Sequence, residues 1–147
     1  MKKLILLSIL LSFPCLAYQQ NWEAIRRSSD HSLWRSKENK KSYTAISKKI
    51  QRAKAPIDLN DLIIQRKKML SYSGISHWKL DQTDRFKYPE ATELLFKGSY
   101  VDNKGQLTSF IEIHRYDGKE ITQILMTSPV DFQYSPELKK ELFNLHD

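Results

Sequence analysis

His114 has the neighbours that can tune an imidazole. Glu112 and Tyr116 lie two residues to either side, so all three share one face of any extended segment. A carboxylate beside an imidazole can adjust a proton-transfer group. With Phe110 on the same face, the set can instead line a shallow binding surface. Turn chemistry at Asp117-Gly118-Lys119 brings a following segment back alongside and places Gln123 next to His114. A four-residue turn at Asp102–Gly105 brings up the preceding segment and sets Glu93 on the other side. The candidate binding residues are therefore Glu93, Phe110, Glu112, His114, Tyr116 and Gln123. No residue is assigned a catalytic role.

Other chemistry finds little support. His31, His77 and His146 lack the i, i+4 spacing with a carboxylate that a metal site uses. The chain has no nucleophile-elbow pattern and no glycine-rich phosphate loop, so neither metal nor cofactor is expected. Asp81 and Asp84 fall in an expected loop. Trp22, Trp34, Tyr43 and Tyr72 are interleaved with cations, but their spacing suits core packing better than base stacking, and nucleic acid is not expected as a partner.

The elements that must position these groups follow from hydrophobic period and turn residues. Asn21 can cap a helix carrying Trp22, Ile25, Leu33 and Trp34, weakened at Ser28-Ser29-Asp30, where a short helix and a turn are equally plausible. Tyr43, Ile46, Ile50 and Ala53 recur at three, four and three residues, a helical face ended by Pro56. A further helix starts at Asp58 or Asn60 and stops at Gly74. Its apolar stripe is Leu59, Leu62, Ile63, Met69 and Leu70, and Arg66-Lys67-Lys68 takes its outer side. Strands are expected over 75–81, 91–101, 106–116 and 120–128. In this register Tyr100 faces Leu107, Phe96 faces Ile111 and Leu94 faces Ile113, while Ile113 faces Ile124 and Ile111 faces Met126. Ser135-Pro136 then opens a closing helix with Leu138, Leu142 and Leu145 on one side.

The expected fold is α+β: N-terminal helices, a four-stranded antiparallel β-meander with one apolar face covered by helices, and a C-terminal helix. The divisions are a signal peptide over 1–17, a basic helical segment over 18–57 and a compact domain over 58–147. Lys2 and Lys3, the apolar run Leu4–Leu11, and Cys15-Leu16-Ala17 form the three parts of a secretory signal cut between Ala17 and Tyr18. The run is too short for a membrane anchor, and Ser12-Phe13-Pro14 before Cys15 suits lipid attachment poorly. Cleavage removes the only cysteine, so the exported chain, periplasmic or extracellular, has no disulfide and no transmembrane segment.

Charge is uneven. Residues 18–73 hold 13 Lys/Arg against 5 Asp/Glu, and residues 74–147 hold 9 against 12. A basic half of this kind can meet an envelope protein or an anionic polymer. The chain reads as an exported binding or interaction module. The alternatives are a small extracytoplasmic enzyme using the Glu/His/Tyr cluster on the open, uncovered sheet face and a structural accessory subunit of an envelope assembly. No motif assigns a family.

Overall fold

The computed structural model describes residues 22–36, 44–72, 75–129 and 131–145. The expected signal peptide, its cleavage site at Ala17 and Tyr18, the single Cys15 and the Gly74 helix stop lie outside those residues. Strands β1 (Trp22–Arg27), β2 (His31–Ser36) and β3 (Ala45–Arg52) come first. Helix α1 (Leu59–Tyr72) follows, then β4 (Ser76–Lys87), β5 (Thr92–Val101), β6 (Leu107–Tyr116) and β7 (Glu120–Ser128), and helix α2 (Pro136–Asn144). All seven strands form one antiparallel sheet in the order β1-β2-β3-β7-β6-β5-β4.

This architecture overturns the expected fold class. The chain is mostly β, and the segment taken for basic N-terminal helices is three strands of the common sheet. The misreading has a physical cause. Ile46 and Ile50 are four residues apart, which puts them on one side of a helix and equally on one side of a strand. The position between them decides the matter: Lys48 is buried on the same side of β3, and its Nζ donates to the Phe143 carbonyl at 3.0 Å. A buried lysine at that position disguises a strand of period two as an amphipathic helix. In β2 the alternation is plain, since Ser32, Trp34 and Ser36 are buried while His31, Leu33 and Arg35 are partly exposed. Ser28-Ser29-Asp30 is the β1–β2 turn: the Ser28 N–H donates to the His31 carbonyl at 2.8 Å, and Ser28 Oγ accepts from the His31 N–H at 3.1 Å.

The second half follows the expected order more closely. β4 runs on to Lys87, past the Asp81 expected as its end, and carries two register irregularities. The β6–β7 register is the expected one, with Ile113 opposite Ile124 and Ile111 opposite Met126. The β5–β6 register is shifted by one: Phe96 faces Glu112, and Leu94 faces His114. Asp102 pairs with Gln106 across the hairpin, its N–H donating to the Gln106 carbonyl at 2.9 Å. The loop therefore closes on three residues, with Gly105 at φ +78°, in place of the four expected. One residue of slip turns every β5 side chain to the other face.

The connection from β3 to β4 passes over β7, β6 and β5, and α1 lies on it. α2 lies on the opposite face. The helices thus cover the two faces separately, where a single covered face was expected. Beneath α2 sits a core of Trp34, Ile46, Leu95, Ile111, Ile113, Ile124, Met126 and Leu142. Beneath α1 sits a smaller one of Leu62, Leu94, Phe96 and Phe110. Each fully buried aliphatic side chain contributes about 1.5–3 kcal/mol relative to exposure.

The helix starts agree with the sequence. Asp58 Oδ1 accepts from the Asn60 N–H at 2.8 Å, and Ser135 Oγ accepts from the Leu138 N–H at 3.1 Å with Pro136 in the first turn. α2 is fastened at several points: Leu142 is fully buried, Trp22 Nε1 donates to Glu141 Oε1 at 2.7 Å, and Lys48 reaches the carbonyl of Phe143 near its C-terminal end. α1 buries only Leu62 among its described side chains and leaves Ile64, Met69 and Tyr72 exposed.

Candidate functional site

The face beneath α1 carries the site. On β6, Phe110, Glu112 and His114 point to this side, and Gln123 and Leu125 of β7 flank them. Leu94 and Phe96 of β5 complete the floor. Glu112 is 3% exposed and His114 is 5% exposed. The face is roofed by a helix, not open to solvent as the sequence suggested.

One carboxylate oxygen organises the cluster. Glu112 Oε1 accepts from His114 Nε2 at 2.7 Å, from Gln123 Nε2 at 2.8 Å and from the Arg66 guanidinium descending from α1. Burial pushes the Glu112 carboxyl up, but the His114 hydrogen bond and the Arg66 charge outweigh it and hold the group below its ordinary value. Glu112 is therefore an anion, and an anion only accepts. The shared proton must lie on Nε2. Nδ1 of the same ring is buried and has no hydrogen-bond partner. The edge of the Phe96 ring packs against the imidazole, with centroids 6.1 Å apart.

Two clefts flank this network. One lies between α1 and the β4 side, walled by Leu62, Trp78, Leu80, Phe96 and Phe110, with Arg66 and Glu112 at its base. The other lies at the start of α1, walled by Pro56, Ile57, Leu94, Ile121 and His114, with Thr92 and Tyr116 as its remaining lining. Each is small, with a free volume of about 10 Å³, room for about one water.

Of the six candidate residues, five share this side of the sheet: Phe110, Glu112, His114, Tyr116 and Gln123. Glu93 does not join them. The one-residue slip in β5 carries it to the opposite face, where it is 1% exposed and accepts from Lys139 Nζ of α2 and from Arg115 Nη1 at 3.2 Å. There it holds α2 to the sheet. Arg66 was missed, having been placed on the outer side of its helix. Its signal was present: Arg66 follows Leu59, Leu62 and Ile63 at the spacing of one helical stripe.

Among the described residues, several cations of the first half have partners of their own. Arg27 lies over the Trp34 ring at 4.4 Å and Lys67 over Trp78 at 5.9 Å, while Arg35 pairs with Glu23 at 2.8 Å. Lys48 and Arg66 point into the two cores. Among the described residues no three His, Cys, Asp or Glu side chains are grouped to hold a metal ion. No helix among them is long and apolar enough to cross a membrane. No family model matches the chain, and no curated protein matches it significantly.

Proposed function

We propose that this protein is a small exported binding module, and that its ligand site is the α1-covered face around Glu112 and His114. The observation that carries this reading is a polar cluster placed where a core would ordinarily be apolar. Burying a glutamate and an imidazole together, with an arginine and an amide half-buried beside them, is costly against apolar packing of the same volume. Such a cluster stabilises the fold little, and a ligand-recognition role accounts for its presence beside two clefts. Nδ1 of His114, buried without a partner, is the group that a ligand would complete. Export, from the apolar and basic N-terminus, belongs to the same proposal.

Native mass spectrometry of the protein isolated from its own cells tests this. A co-isolating small molecule held by the wild type and lost from His114→Leu is expected. Molecule-free spectra from both proteins, with the sheet intact by circular dichroism, would count against the site.

The Glu112–His114 pair favours one second reading. A carboxylate that fixes an imidazole tautomer is also what a general base needs. Turnover of a substrate that disappears in His114→Gln, with binding retained, would move the assignment from binding to catalysis.

A further inference from the structure

α1 is apolar on two sides. Leu59, Leu62 and Ile63 belong to the core between the helix and the sheet. On the outer side Ile64 is 62% exposed, Met69 57% and Tyr72 80%. No other described element exposes as many large apolar side chains. Ile64, Lys68 and Tyr72 succeed one another at four-residue steps, which sets them in one line along the helix, with Met69 beside it. Packing on the sheet accounts for the first apolar side and gives the second no role in the fold.

The same side is basic. From Ile64 to Tyr72 the helix has three cations and no acid, while Asp58 and Asp61 stand at its start. Lys67, above the Trp78 ring, and Lys68 are exposed. The strands to either side add Arg85, level with Leu94, and Lys49, level with Gln123, both exposed on the α1 side of the sheet. Among the described residues these four cations have no carboxylate at ion-pair distance. On the α2 side, by contrast, Lys97 pairs with Asp131 at 3.6 Å and Arg115 with Glu93 at 3.2 Å.

The position of Lys68 decides what such a surface meets. In the middle of the apolar line its ammonium would lose its water against a folded protein, and lysine is depleted at the centres of protein interfaces. Against a bilayer its stem lies along the apolar layer while the ammonium stays among the phosphates, and a tyrosine sits at the same depth. We propose that α1 docks this protein on an anionic bilayer surface, with Ile64, Met69 and Tyr72 in the headgroup layer and Lys67 and Lys68 on lipid phosphates. Arg85 and Lys49 add attraction from the flanks. The protein rests on the bilayer through this helix and does not cross it there. The surface is separate from the Glu112 cluster and stands whether or not that cluster holds a ligand.

The test is sedimentation with vesicles of phosphatidylcholine alone or of equal parts phosphatidylcholine and phosphatidylglycerol, using protein isolated from the producing cells. The wild type should sediment with the anionic vesicles only, come off them in about 0.5 M sodium chloride, and gain hydrogen-exchange protection in α1 when bound. Lys67→Gln with Lys68→Gln should weaken binding about thirtyfold. Lys104→Gln with Lys119→Gln takes the same charge from two exposed hairpin turns and should leave binding nearly unchanged. Ile64→Ser with Tyr72→Ser should also release the protein, with circular dichroism as in the wild type. Equal binding to neutral vesicles, an equal loss from the two lysine pairs, or no vesicle binding at all would overturn the proposal. So would a co-purifying protein that is lost from the Ile64 and Tyr72 variant while vesicles are ignored, which would make the partner a protein.

Discussion

At the scale of single residues, Glu112 contributes an acid-sensitive part of the stability. Its carboxyl is held below its ordinary value, so the folded state binds a proton less readily than the unfolded chain. The stabilisation is fully present above the unfolded value near 4.5 and is lost as pH falls through the lower folded value. Urea titrations are expected to show stability falling below that point in the wild type and a flatter acid limb in Glu112→Gln. Removing Arg66 takes the guanidinium away from the buried anion. Arg66→Met should cost about 3 kcal/mol at neutral pH, measurable as a drop in the urea midpoint. The Glu112–His114 pairing was legible because two residues of spacing settle a shared strand face. Glu93 was misplaced because one turn residue, Asp102, belongs to the strand pairing and not to the loop, and that difference inverts a face. Arg66 stayed hidden because a buried cation in a run of three looks like a solvated helix end.

At the scale of elements, the two helices differ in how they are held. α2 combines a fully buried leucine, a serine cap and polar ties from Trp22, Lys48 and Glu93. α1 rests on Leu62 and the Arg66–Glu112 pair, with half-buried apolar neighbours at Leu59 and Ile63. Hydrogen exchange should therefore release α1 amides well before those of α2 under native conditions. Leu142→Ala is expected to cost about 2–5 kcal/mol by thermal or urea unfolding. Both helix starts were readable because Asp58 and Ser135-Pro136 are local signals that need no tertiary information. The strand character of β1 to β3 was not local. Ile46, Lys48 and Ile50 make sense as a face only against Ile124 and Met126, which come much later in the chain. The β4–β5 crossing carries a sharper local constraint. A Cβ added at Gly98 would lie 2.2 Å from the Lys79 carbonyl oxygen and 2.9 Å from the Phe110 ring. Gly98→Ala should cost about 3 kcal/mol and broaden the resonances of β4, since backbone must move to admit it.

At the scale of the whole molecule, β3 joins two meanders into one sheet. Its eight-residue ladder with β7 covers the edge of a unit that the sequence otherwise sets apart as residues 58–147. Produced alone, that fragment would expose the β7 edge and uncover Ile124 and Met126. It is expected to bind hydrophobic dye and to associate at micromolar concentration, where the longer chain stays monodisperse by light scattering. Among the described strands the edges are β1 and β4, and β4 carries Lys79, Asp81, Asp84, Arg85 and Lys87, a run that discourages pairing with another chain. The same β3–β7 seam imposes an order in time. Synthesis proceeds from the first strand to the last, and β7 is the last strand made. The β1–β3 hairpins must therefore wait, with one flank bare, while β4, β5 and β6 are added. The seam closes only when Glu120–Ser128 emerges, and α2 can lock its face only after that. Until then the nascent chain carries unmatched strand edges.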